Sequence, residues 1–346
     1  MSNISHSFNS KFKIQNSKFN IPLRSFAQNF AFLYGYIFNS TFNIQHSTFN
    51  ILSLFSFKKY LRFSPSLRSS VFKKRDNSKF KIQNSTFIIL LSIFTLSSPA
   101  QELRKIENKA FIRGEVLKYK VYYRSFITGK ITAGEAILEV KNENKLFGNR
   151  STYHIVGTGL TKGVFNLFFK VVDKYESFID DQAILPWLFY RRVNEGGYKI
   201  EQDIIYNRYN NTAKDVKSGK VYNILPDAQD ILSMFYYTRT LDVSNIKIGD
   251  ELLVNSFIDF EPYPFKIKFI GREVLKTSMG KFNCLKFSPL LLKGNVFKEE
   301  AGMIIWFTDD DNHIPILLET TILVGSIKLE LIKCSNLANP QNKLSD

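Results

Sequence analysis

Between residues 115 and 333 the chain alternates apolar and polar positions with a period of two, the pattern of strands with one dry and one wet face. In Glu115–Tyr123, residues Leu117, Tyr119, Val121 and Tyr123 share a face while Lys118 and Lys120 point away. Gly134–Val140 sets Ala136, Leu138 and Val140 against Glu135 and Glu139. Tyr198–Tyr206 sets Tyr198, Ile200, Ile204 and Tyr206 against Lys199, Glu201 and Asp203, and Phe265–Phe269 and Ile327–Leu331 repeat the pattern. One-sided burial predicts an antiparallel sheet rather than a parallel α/β core. Turn-forming clusters such as Asn194-Glu195-Gly196-Gly197 and Asp309-Asp310-Asp311-Asn312 separate the runs, giving about ten to twelve strands. Gly157-Thr158-Gly159 is expected to be a bulge or turn.

One stretch changes period. Residues 227–239 place Ala228, Ile231, Leu232 and Phe235 on one face at helical spacing. Asp227 is placed to cap the first turn, Asp230 lies within it, and Arg239 suits the far end of the dipole. A lone amphipathic helix among strands buries its apolar face best against a curved sheet. The expected architecture is therefore all-β and mainly antiparallel: a curved sheet or partly open barrel with this helix on its concave face. Tyr119 and Tyr123 from the first strand and Phe235 and Tyr236 from the helix are expected to line the groove. Asp230 and Arg239 are expected to anchor the helix electrostatically.

Residues 87–101, FIILLSIFTLSSPAQ, carry a different signal. The apolar run Phe87–Leu96 is too short to span a bilayer, which takes about 20 residues. Lys73, Lys74, Arg75, Lys79 and Lys81 precede it, and Ser98-Pro99-Ala100 supplies small residues before Gln101. That is the layout of a secretory signal peptide over residues 71–100, cut after Ala100, releasing a single periplasmic or otherwise exported domain, 101–346, with no transmembrane span.

The region before it is repetitive. The unit Asn9–Ile21 returns as Asn39–Ile51 and Asn77–Ile89, at uneven spacings of 30 and 38 residues. Solenoid repeats keep one period, so no stacked array is expected. Residues 1–70 read as a leader either foreign to the native protein or disordered. The leader also distorts the charge: the chain is +16 overall. Removing the 13 basic residues and one acidic residue of the first 100 from totals of 47 and 31 leaves 34 and 30, a net of +4. No nucleic-acid partner is expected of so evenly charged a body.

Candidate chemistry is sparse. Cys284 and Cys334 could pair in an oxidising compartment or stay as separate buried thiols; the sequence leaves both open. His154 is expected to be a locally hydrogen-bonded strand residue. The run Asp309–His313 lacks calcium-loop spacing and reads as a hairpin turn, with no metal or cofactor implied. Glu195, Glu201, Asp203, Glu299 and Glu300 could supply a hydrolytic pair, but no motif selects two of them, and no catalytic residue is assigned. The aromatic surplus of the body suits a concave apolar site.

Several short motifs in fixed order resemble domain-of-unknown-function family 3108, exported proteins of Gram-negative bacteria, over residues of about 111–333. They are Gly114-Glu115-Val116-Leu117-Lys118-Tyr119, the Asp230–Arg239 segment, Gly271-Arg272-Glu273, and Gly280-Lys281-Phe282-Asn283-Cys284 with Pro289. Ile305-Trp306-Phe307-Thr308-Asp309-Asp310 with Ile314-Pro315, and Val324-Gly325-Ser326-Ile327, complete the set. The resemblance implies an exported all-β domain and no established activity. Together these readings point to a non-enzymatic envelope protein that binds an apolar or amphipathic, lipid-like ligand or an envelope protein partner between sheet and helix. An envelope hydrolase or a structural interaction module are the alternatives.

Overall fold

The computed structural model describes residues 102–126, 129–290, 302–322 and 325–345. The repetitive leader, the signal-like segment, Glu299 and Glu300 lie outside them. Residues from Leu103 onward belong to one unit built around a single sheet. Strands β1 (Val116–Ser125), β2 (Gly129–Val140), β4 (Arg150–Thr161), β5 (Val172–Asp180), β6 (Pro186–Glu195) and β7 (Tyr198–Asn207) form an antiparallel meander. It continues into β8 (Thr212–Asp215) and β9 (Val221–Asn223). The second half runs β10 (Glu251–Ile258), β11 (Glu261–Thr277), β12 (Gly280–Leu290), β13 (Met303–Thr308), β14 (Pro315–Ile322) and β15 (Gly325–Ser335), and β15 returns to pair with β1. Two-residue strands β3 (Leu146–Phe147) and β16 (Lys343–Leu344) pair with β4 and β12. Among the described residues twelve strands are of six residues or more and four are shorter; the alternation predicts about ten to twelve, the shorter ones being too brief to show a period.

The alternation read from sequence holds in β1, where Leu117, Tyr119, Val121 and Tyr123 are buried and Lys118 is exposed. Register shifts at Lys118/Tyr119, Val121/Tyr122, Phe178/Ile179 and Phe269/Gly271 mark bulges, which bend strands and deepen twist. The sheet curls until its edge strands approach: the rings of Tyr222 on β9 and Phe257 on β10 lie 5.6 Å apart. Among the described residues it does not close by strand pairing. The seam is bridged by residues 224–230, where Gln229 pairs with Ser256 of β10 and Arg208 donates to the Ala228 carbonyl at 2.7 Å.

Two helices occur among the described residues, α1 (Phe165–Phe168) between β4 and β5, and α2 (Ile231–Arg239) between β9 and β10. Neither is long and apolar enough to cross a membrane. The four-residue α1 is too short to show helical periodicity in sequence. The α2 helix starts four residues later than its apolar spacing suggests, because Asp227 adopts a left-handed backbone (φ 57°) and Gln229 is extended against β10. Gly157-Thr158-Gly159 is also not a turn but the middle of β4. A side chain on Gly157 would sit 3.1 Å from Leu232 of α2 and 3.2 Å from Leu138 of β2, so the glycine makes room for the helix.

Candidate functional site

The α2 helix is fixed at both ends by fully buried charge. Asp230, not Asp227, is its N-cap: the carboxylate accepts from the Leu232 and Ser233 amides at 2.8 and 2.9 Å and from Ser177 Oγ at 2.6 Å. Ser233 Oγ returns the bond by accepting from the Asp230 amide, completing a capping box. Burial pushes the Asp230 carboxyl up to about 6, with the hydrogen bonds pulling the other way. At the other end Arg239 makes a two-pronged pair with Glu115 at 2.6 and 2.8 Å. It also donates to the carbonyls of Ala110 and Asn312 at 2.9 and 3.0 Å. Both members of the pair are fully buried.

Residues 103–114 form a strap over the outer side of the helix. Phe111 packs edge-on against Tyr236 at 4.8 Å, and the Arg104 guanidinium lies 4.3 Å above the Tyr237 ring. Arg104 also donates to the Ala183 and Ile184 carbonyls and pairs with Asp227 at 3.3 Å. The helix is therefore held between strap and sheet.

Between the inner face of α2 and the sheet lies an apolar cavity of ≈ 40 Å³, several times the roughly 10–15 Å³ that one water needs. Tyr119, Leu138, Ile231, Phe235, Leu317 and Leu329 are among its walls. Of the four aromatics expected to line the groove, Tyr119 and Phe235 meet there. The other two do not. Tyr236 faces the strap, because a helix of this spacing turns successive residues to different sides. Tyr123 lies further along β1, in a separate cluster with Val121, Phe165 of α1 and Ile327. The Tyr119 and Tyr236 hydroxyls have no hydrogen-bond partner, and burial pushes both phenols up.

The opposite inner wall is polar. Asp173 and Glu195, on neighbouring strands β5 and β6, face each other at 2 and 3 % exposure, close enough that the Asp173 charge raises the cost of a charge on Glu195. Arg191 on β6 is equally buried and pairs with Asp259 at 2.6 Å, leaving its Nε and Nη2 without hydrogen-bond partners. A second, smaller cavity (≈ 10 Å³, about one water) lies beside Arg191, Gln202, Tyr206 and Asp259. It shares the Ile231 side chain with the apolar cavity. Sequence named Glu195 but not its partner; alternation puts Asp173 and Glu195 on the inner face, and only the β5–β6 register joins them. Glu201 is exposed and Asp203 is taken by Arg192 at 2.5 Å.

Burial raises both carboxyls of the pair, and for Glu195 the neighbouring Asp173 charge raises it further. The folded chain thus holds protons that the unfolded chain has already lost. This stabilisation is complete below the ordinary glutamate value of 4.5 and is lost as pH rises through the raised one. Asp180, Glu176 and Glu330 oppose it at the acid end: each is depressed against the pull of its own burial, by Arg150, by Lys174, and by Ser278 with Lys130 respectively, so their stabilisation falls away in acid. Thermal melts from alkaline to mildly acidic pH are expected to show rising stability, and Glu195→Gln should flatten that slope. An unchanged slope in the variant would refute the assignment.

The remaining candidates are structural. His154 stacks on Phe178 at 4.2 Å and bridges Glu143 and Glu176 on the outer face. In the Asp309–His313 hairpin, Asp310 accepts from Thr308 Oγ1 and the Asn312 amide, and Asp309 pairs with Arg272 at 3.0 Å. Both cysteines are free, Cys284 on β12 and Cys334 on β15 being separated by two strands. Burial pushes the Cys284 thiol up to about 12.

Fold and site together define an open antiparallel up-and-down barrel with a helix-plugged, partly apolar interior. The sequence matches the family described as protein of unknown function DUF3108 over residues 118–332, and the chain belongs to that family. Among solved structures it is similar to a β-barrel-like DUF1849 protein from Brucella abortus, at 10% identity and TM-score 0.43, covering 68% of this chain and 99% of that one. It is also similar to a protein provisionally named a lipoprotein from Parabacteroides distasonis (14% identity, TM-score 0.29, 68% and 100% covered). A third, provisionally named an exported protein with YmcC-like fold, comes from Bacteroides fragilis (10% identity, TM-score 0.27, 68% and 100% covered). No curated protein matches the sequence.

Proposed function

We propose that this is a non-enzymatic protein of the cell envelope that holds an apolar or amphipathic molecule inside its barrel. The apolar cavity beneath α2 carries the reading: its walls are almost wholly hydrocarbon, and it marks where an acyl group enters, with α2 moving away from the sheet to enlarge a void that is now only ≈ 40 Å³. The signal-like segment before Gln101 supports an exported location. The apolar portion sits against Tyr119, Leu138 and Phe235. Its polar end faces the wall of Arg191, Gln202 and Asp259, where two guanidinium nitrogens await an acceptor.

Native mass spectrometry of protein purified from its own envelope is expected to show a bound lipid-like mass. Palmitate should raise the melting temperature of delipidated protein. Ala136→Phe fills the cavity from β2 and should weaken palmitate binding by about tenfold, the worth of roughly 1.4 kcal/mol. Empty spectra with no palmitate-dependent shift in the wild type would sink the proposal.

A further inference from the structure

Among the described residues, the end of the barrel that carries α1 exposes a group of apolar side chains. Phe126, at the tip of the β1–β2 hairpin, is fully exposed, and Leu167 of α1 is 81% exposed. Val164, just before the helix, is also exposed. Leu160 and Val172, directly opposite each other on β4 and β5, continue the apolar surface onto the outer collar. Exposed apolar groups gathered at one end of a soluble fold mark an interaction site.

Among the described residues, charge at this end is mostly basic. Arg124, Lys170 and Lys199 are exposed and carry no ion pair among the described residues. Of the neighbouring carboxylates, Glu135 pairs with Lys162 at 3.1 Å, Glu330 pairs with Lys130 at 3.6 Å, and Asp173 and Glu195 are buried; Glu201, two residues beyond Lys199, is exposed and offsets part of the charge. Protruding apolar side chains ringed by unpaired cations match a bilayer interface, where the first enter the acyl boundary and the second meet anionic headgroups. A protein partner would need a complementary pocket for each protruding side chain; a fluid bilayer accepts them as they stand.

We infer that the α1 end of the barrel is a docking tip for anionic membrane surfaces, with Phe126, Val164 and Leu167 inserting and Arg124, Lys170 and Lys199 contacting headgroups. The tip works whether or not the interior holds a ligand. It also gives the interior a source: Phe165 of α1, Tyr123 and Ile327 fill the space between the tip and the cavity walls Leu318 and Leu329. This apolar cluster, with Val121, Ala133, Val171 and Met303 also in it, lies between a docked bilayer and the cavity.

The test uses full-length protein and a reporter confined to the tip, because the basic leader could bind vesicles by itself. Leu167→Trp is mixed with phosphatidylcholine–phosphatidylglycerol vesicles whose acyl chains are brominated, and its fluorescence is compared with that of Val274→Trp, an exposed apolar site on β11, outside the proposed tip. The signal of the Leu167→Trp protein above wild-type background is expected to fall by about half, with little change for Val274→Trp. The loss should shrink in high salt and in pure phosphatidylcholine vesicles. A second pair carrying Lys170→Glu with Lys199→Glu should bind more weakly while melting at the wild-type temperature. No quenching at position 167, or equal quenching at 167 and 274, overturns the proposal; the first result is also what self-association through the tip would give.

Discussion

Arg239→Ala is expected to cost about 3–5 kcal/mol of stability, the range for removing one partner of a buried ion pair. The reason is what the substitution leaves behind. Glu115 would keep a charge at zero exposure with both oxygens unpaired, and the Ala110 and Asn312 carbonyls would lose their donor. Arg239→Lys keeps the charge but cannot span both carboxylate oxygens and two carbonyls, so it should recover only part of the loss. The paired change Arg239→Met with Glu115→Leu should cost far less than either single change, because no charge is stranded. Urea unfolding of these variants beside the wild type checks this. A loss below about 1 kcal/mol for Arg239→Ala would place the pair in water rather than in the core.

Phe111→Ala should cost a similar amount, about 3–5 kcal/mol, although Phe111 belongs to no helix or strand. Its ring is fully buried and meets Tyr236, Tyr153 at 5.1 Å and the Arg239 guanidinium at 5.4 Å. Removing it opens a void between strap and helix that neither side can close, since the strap is tied by Arg104 and the helix by Asp230. Hydrogen exchange should show the amides of α2 losing protection in Phe111→Ala before those of β4 and β5. Uniform loss across the sheet would mean that the strap stabilises the whole fold rather than the plug.

Much of the fold was legible because one-sided burial writes itself into period two, as Leu117, Tyr119, Val121 and Tyr123 show. The helix was legible for the same reason at its own period. Its start was not, because a positive-φ Asp227 followed by an extended Gln229 looks in sequence like a first turn with a good cap. Only half of the candidate cavity wall could be read. Alternation put Tyr119 and Tyr123 on one face, but a barrel interior is divided along its axis, and α2 reaches only the level of Tyr119. The Asp173–Glu195 pair depended on strand register, which no local pattern specifies. Gly157 was the missed signal: a glycine in a strand flanked by alternation points to something approaching closely.

The join between β1 and β15 has a consequence for how the molecule comes into being. The first long strand of the described residues pairs with the last, and Asn339 donates to the Lys109 carbonyl across 230 positions of chain. Any chain delivered from its amino end must therefore carry β1 with one flank unmated until the final segment arrives. Contacts of such separation make for slow assembly and a long interval in which naked strand edges invite neighbours. Crowded expression should thus yield aggregates seeded by nascent, carboxyl-truncated chains rather than by the finished barrel.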